Sequence, residues 1–256
     1  MRNLLKRKIM KKFIYKIIPV LIIAVLSSCT QDLDTEGISR VTIFPTMELV
    51  GDETVIVNIG SAYSDEGVIA KAGEDEIPVE VSYLGEYYGK KTVDTSVPDM
   101  YNVTYSAANN DGIKLNSTLR TIWVAKTGDL VNSIEGLYIS NVQRAPSFTQ
   151  GDEKNMKYVI ISKKGDNTYE ISHAIGGYYD YGRAYGSGYA ARGAIITANN
   201  IVTNDFSISQ AEFPIWGNVV DITDFTVDAG AKTISFTGNG DFGNGTFKVQ
   251  LTQVQF

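Results

Sequence analysis

Cysteine and histidine are almost absent, with one of each in 256 residues. That scarcity excludes a disulfide scaffold and a zinc centre built from these ligands, and it leaves most Cys/His catalysis without its parts. Positive charge is also scarce once residues 1–28 are set aside. Those residues hold seven of the 23 basic residues and none of the 29 acidic ones, so the rest of the chain carries −13. A body of that sign repels phosphate backbones, and nucleic acid is not an expected partner. There is no Gly-x-Ser-x-Gly elbow, P-loop or dinucleotide fingerprint, and no cofactor is implied. What remains, 43% apolar and 20% charged, is the composition of a globular protein.

The N-terminus has three zones. Arg2, Lys6, Arg7, Lys8, Lys11, Lys12 and Lys16 form a basic segment, Ile17–Leu26 an apolar run of ten residues, and Ser27-Ser28-Cys29 a small-residue end. Ten residues fall short of the roughly 20 needed to span a bilayer, so 1–28 reads as a secretory signal peptide, beginning at Met1 or at Met10. Leu26-Ser27-Ser28-Cys29 resembles the bacterial lipobox, which implies that Cys29 becomes the acylated first residue of the mature chain. More than one acyl chain turns marginal membrane binding into stable anchoring. The acidic tether that follows, 29–38 (Asp32, Asp34, Glu36), resembles the surface-export signal of Bacteroidota lipoproteins. It implies an outer-membrane protein facing the cell exterior.

Past the tether no convincing amphipathic helix appears. The repeating signal is short period-2 segments between Gly, Asn and Asp, which predicts an all-β chain. In 39–126, Val55/Val57/Ile59, Val79/Val81/Tyr83, Tyr101/Val103/Tyr105 and Ile122/Val124 each fall on one face of a strand. Roughly seven such strands predict a β-sandwich of the immunoglobulin kind. Gly60-x-x-Tyr63-x-Asp65-x-Gly67-Val68-x-Ala70 and Tyr101-x-Val103-x-Tyr105 with Ala107, Asn109, Asp111 and Gly112 resemble the signatures of bacterial Ig-like domains. Pro98-Asp99-Met100 departs from that pattern where a glycine is usual. Asp65, Asp99 and Asp111 offer oxygen ligands, but no spaced calcium loop with a bidentate Glu accompanies them, so they read as turn residues and no metal site is expected.

Residues 127–133 read as a linker. Over 134–256 the strand candidates are Ile134–Arg144, Lys157–Ser162, Thr168–His173, Gly193–Thr197, Val219–Val227, Lys232–Thr237 and Thr246–Gln253, which predict a second antiparallel β-barrel or curved β-sandwich. Gly136-x-Tyr138-x5-Arg144, Gly176-Gly177-Tyr178-Tyr179, Gly182-Arg183-x-Tyr185-Gly186, Tyr189-Ala190-Ala191, Trp216-Gly217 and Asp224-Phe225 resemble the C-terminal domain, of unknown function, in lipoproteins of polysaccharide-utilisation loci. That resemblance implies a place beside a TonB-dependent transporter complex.

Gly176–Arg192 is the most unusual stretch, with five of the 15 Tyr and five of the 24 Gly in 17 positions. Tyr and Trp present flat apolar faces with a polar rim. A sugar has apolar C–H faces and hydroxyl edges that such rings and nearby Asp and Arg groups suit. Tyr178, Tyr179, Asp180, Tyr181, Arg183, Tyr185, Tyr189 and Trp216 are therefore the candidate glycan-binding residues. The competing reading is packing, because alternating Tyr is common in strands, and Tyr179 and Tyr181 would share a face of one. His173, the sole His, reads as a packed or edge residue rather than a base. Many acidic pairs exist but none stands out as the carboxylate pair of a glycosidase. The expected role is a non-catalytic glycan-binding accessory of an uptake system. The alternatives are a structural or adhesion lipoprotein and a small surface glycosidase.

Overall fold

The computed structural model describes residues 41–149, 151 and 153–256. The signal segment, Cys29 and the 29–38 tether lie outside the described residues. Residues 44–256 make one compact unit built from two strand modules.

The first module has seven strands: β1 (Pro45–Leu49), β2 (Thr54–Asn58), β3 (Val68–Ala72), β4 (Asp75–Glu76), β5 (Val79–Gly85), β6 (Asp99–Ala108) and β7 (Lys114–Ala125). They form two sheets, β1-β3-β4 and β2-β7-β6-β5. All pairings are antiparallel except β2 with β7. Strict alternation in β6 buries Tyr101, Val103 and Tyr105 completely, against Val57, Ile122 and Val124 from the same sheet. Burying each such side chain contributes about 2–3 kcal/mol. The Ig-like signature residues have a structural use. Arg120, only 1% exposed, donates Nε to the Asp52 carbonyl at 2.9 Å, contacts the Val50 carbonyl and pairs with Asp65. The Tyr63 and Tyr105 hydroxyls donate to the same carboxylate at 3.1 and 2.9 Å. Asp65 is thus committed to Arg120 and two tyrosines. Asp99 accepts the Tyr87 and Met100 amides at 2.9 and 2.8 Å.

The second module holds β8 (Gly136–Arg144), β9 (Met156–Lys163), β10 (Thr168–Ile171), β11 (Ile195–Asn200), β12 (Asp205–Ile208), β13 (Ala211–Glu212), β14 (Val219–Asp228), β15 (Thr233–Gly240) and β16 (Thr246–Gln253). They make a single nine-stranded antiparallel sheet, ordered β12-β11-β10-β9-β8-β16-β15-β14-β13. The sheet curls into a half-barrel until Arg192 and Glu212, on opposite flanks, exchange both backbone hydrogen bonds at 2.9 Å. Its core includes Tyr138, Ile161, Tyr169, Ile196, Phe236 and Leu251. Two short strands, β12 and β13, were not foreseen. The Thr168–His173 strand ends at Ile171, so Ser172 and His173 lie beyond it.

The predicted linker is an ordered turn. The Asp129 carboxylate accepts the amides of Val131, Asn132 and Ser133 at 2.7–3.1 Å, and Gln253 Nε2 donates to the Gly128 carbonyl at 2.9 Å. Leu130 is 2% exposed and joins the second module's core. Beside this turn the Trp123 and Tyr158 rings meet edge-to-face at 5.2 Å, packed with Ala125, Leu137 and Ile160. The modules therefore share a packed apolar cluster.

Candidate functional site

The Tyr/Gly-rich segment leaves the strand regime altogether. After β10 the chain bends through Gly176 (φ +64°) and Gly177 (φ +81°) into one π-helical turn, Tyr178–Gly182. The Gly182 amide donates to the Gly177 carbonyl at 3.2 Å and the Arg183 amide to the Tyr178 carbonyl at 2.9 Å, both spanning five residues. Gly176 is required twice over. Its backbone is left-handed, and a Cβ there would lie 2.6–2.7 Å from Ser140 Oγ, Val142 Cγ2 and Val249 Cγ1.

This turn corrects the expected geometry. Strand alternation would place Tyr179 and Tyr181 on one face, but the π-turn sends them to different neighbourhoods. Tyr179 packs edge-on to Trp216 at 4.9 Å and lies parallel to Tyr185 at 5.8 Å, with Phe213 and Phe247 behind it. Tyr181 instead tilts against the His173 ring at 4.8 Å and donates its hydroxyl to the Tyr158 carbonyl at 3.1 Å.

The eight candidates therefore separate into groups. Tyr185 (50% exposed) and Trp216 (43% exposed) reach solvent, and Tyr189 meets Tyr185 at 5.5 Å and Trp216 at 4.8 Å. These three rings, with Ile215 beside them, form an open aromatic platform. Tyr178 and Tyr179 are buried beneath it, each 8% exposed, and burial pushes the Tyr179 hydroxyl above its ordinary value. Arg183 is exposed and pairs with Glu153 at 3.4 Å. Asp180 and Tyr181 belong to the interior.

Trp216 is presented by a tight loop between β13 and β14. The Phe213 amide donates to the Asn218 carbonyl, the Gly217 amide to the Phe213 carbonyl, and Gly217 has φ +70°. Arg144, at the end of β8, braces the platform from below. Its guanidinium carbon lies 5.5 Å from the Tyr178 and Tyr179 rings and 5.3 Å from Phe247, while its Nε donates to the Asn244 carbonyl at 2.9 Å. Each cation–π contact of this kind contributes about 0.5–2 kcal/mol. Sequence reasoning missed Arg144, Phe213 and Phe247 as parts of the site. Only Arg144 had a signal, as the last residue of the Gly136-x-Tyr138-x5-Arg144 pattern.

A polar relay runs behind the platform. His173 is fully buried, its Nδ1 is 2.7 Å from Ser172 Oγ, and its Nε2 is 3.1 Å from Asp180. Burial pushes the imidazole pKa below its usual value, while Asp180 pulls the other way. In the neutral ring Nε2–H donates to Asp180 and Nδ1 accepts the Ser172 hydroxyl. Ser172 Oγ in turn accepts the Ile160 amide at 3.0 Å. His173 joins the π-turn to β9 through Ser172.

Two family models match the chain. One, described as "bacterial surface protein, Ig-like domain", covers residues 47–124, and the other, described as a C-terminal domain, covers 127–253. No curated protein matches. Among solved structures, the lipoprotein BT2262 from Bacteroides thetaiotaomicron is similar, with a TM-score of 0.61 and 26% identity. The match covers 82% of this chain and 100% of that one. The chain thus carries an Ig-like domain of the bacterial-surface type followed by a second β-module, in an arrangement similar to that of a Bacteroides lipoprotein.

Proposed function

We propose that the protein is a lipid-anchored surface protein of the outer membrane that binds a glycan without transforming it. In this role it would serve as the accessory of a polysaccharide uptake system with a TonB-dependent transporter. The likeness to a lipoprotein and to bacterial surface domains supports the location, and Cys29 is the residue that would carry the lipid. The observation that carries the binding reading is the Tyr185–Tyr189–Trp216 platform. These are large rings in mutual contact, two of them close to half exposed, held from below by Tyr179 and Arg144. Tyr and Trp of a folded core do not leave such faces in water without cost. A shallow ring platform suits the C–H face of a sugar, with Kd in the micromolar to millimolar range, about −8 to −4 kcal/mol.

Affinity gel electrophoresis against a panel of neutral plant, yeast and bacterial polysaccharides tests this reading. At least one should retard the protein, and Tyr185→Ala and Trp216→Ala should abolish the retardation while the far-ultraviolet dichroism is preserved. Unchanged retardation in both folded variants, or none with any polysaccharide, would remove the platform from consideration. The scaffold reading would then be favoured by the burial of Tyr178 and Tyr179.

A further inference from the structure

Arg183 brings a charge to the water-facing edge of the aromatic platform. It closes the π-turn, its amide donating to the Tyr178 carbonyl at 2.9 Å, and two residues later the Tyr185 amide returns to the Tyr179 carbonyl at 3.0 Å. Ala184 between them is left-handed, with φ +54°. The Arg183 side chain therefore springs from the short loop that sets the Tyr179 and Tyr185 rings nearly parallel, 17° apart. Its charge reaches three of the tyrosines. Tyr178, Glu153 and the Tyr185 hydroxyl together raise the guanidinium above its ordinary pKa. Arg144 and Arg183 both oppose the rise that burial imposes on the Tyr179 hydroxyl.

The bonding of this guanidinium is far from complete. It carries five N–H donors in a planar fork. Glu153 engages it through one long contact of 3.4 Å, and the Arg183 side chain stays 52% exposed while that of Glu153 is only 9% exposed. An ion pair made by one such contact at the surface holds its cation weakly. The other charges around the rings are turned away from a ligand. Arg144 lies beneath Tyr178 and Tyr179, and Asp180 faces His173 behind the turn. A molecule lying on Tyr185 and Trp216 thus meets a cation with donors to spare at its edge. The planar fork of arginine matches a carboxylate, which it binds through two parallel hydrogen bonds. In a uronic acid the carboxylate projects from the edge of the sugar ring, so a ring stacked face-down on an aromatic side chain can turn it toward the rim.

We propose that the platform prefers acidic glycans, and that Arg183 is the specificity residue, binding the carboxylate of a uronic acid unit stacked on the rings. The inference rests on the platform reading and adds the charge of the ligand to it. Neutral chains make the ring contacts alone. Uronate chains make the same contacts and displace the long Glu153 contact with a closer, two-pronged one. The gain is electrostatic at an open surface, so it weakens as salt is raised. An arginine that served only to close the π-turn would give no difference between a sugar acid and its ester.

The test is titration calorimetry on the full chain in detergent, with oligomers of galacturonate, glucuronate and mannuronate and the methyl ester of each. Acid and ester share every ring contact and differ in charge. At low salt at least one uronate should bind about five- to tenfold tighter than its ester, the gain of roughly one charge-assisted hydrogen bond. High salt should narrow that ratio. In Arg183→Gln the ratio should fall to about one, with the far-ultraviolet dichroism preserved. Equal binding of acid and ester, no binding of any uronate, or a ratio that survives in folded Arg183→Gln overturns the proposal. Failure of the platform reading shows separately, as polysaccharide retardation that survives Tyr185→Ala and Trp216→Ala.

Discussion

Gly176→Ala isolates the contact on which the aromatic site is built. The added methyl group meets two penalties. A non-glycine residue at φ +64° costs about 1–2 kcal/mol. In addition, the Cβ would stand 2.6–2.7 Å from Ser140 Oγ, Val142 Cγ2 and Val249 Cγ1, on side chains that are at most 3% exposed. None of these can swing into solvent, so β8 and β16 or the π-turn must move, and overpacking of that kind costs about 1–3 kcal/mol. The expected total is about 2–5 kcal/mol. Gly193→Ala supplies the reference, since Gly193 has φ +86° and no heavy atom within 4 Å of its virtual Cβ. It should cost only the strain, about 1–2 kcal/mol. Urea unfolding followed by dichroism at 25 °C resolves the difference. Equal midpoints for the two variants would refute the close approach of the turn to the sheet. If Gly176→Ala folds but its turn is displaced, Tyr179 and Tyr185 move with it, and polysaccharide retardation should drop while Gly193→Ala retains it.

Other outcomes follow from the buried networks. Arg120→Leu should cost about 3–5 kcal/mol in urea unfolding, because it leaves the Asp65 carboxylate buried without its cation. Adding Asp65→Asn should recover part of that loss, and full additivity of the two costs would contradict direct coupling. Burial pushes the Tyr87 hydroxyl up to about 12. Between pH 10 and 12 the unfolded chain releases this proton while the folded one holds it, so stability falls through that window by about 3 kcal/mol. Tyr87→Phe should flatten the decline in urea melts taken at unit steps from pH 9 to 12. On the acid side His173 is held neutral by burial, so stability present above pH 6.5 should diminish as pH falls. A His173→Gln variant should show a shallower loss between pH 7 and 5.

The strands that bury one face were legible because their period is visible. Tyr101, Val103 and Tyr105 alternate with polar neighbours and are fully buried, and β16 was bounded correctly by Thr246 and Gln253. β12 and β13 escaped notice because four and two residues are too short to show any period. The Tyr/Gly segment stood out by composition, yet its geometry could not be read. A π-turn depends on where Gly176 meets Val142 and Val249, contacts 34 and 73 positions away in the chain. The same limit hid Arg144 beneath Tyr179. The stacking of Arg192 on Tyr87 left no local trace at all, since the two come from different modules and meet only after both have folded.

The tight connection through Asp129 and Leu130, with Trp123 locked onto Tyr158, fixes how the first module stands against the second. A slack joint would let the two modules sample many bearings, and any partner touching both would have to select one of them. Here that choice is made during folding, so the exposed Tyr185 and Trp216 rings keep a single preset direction relative to the Ig-like module.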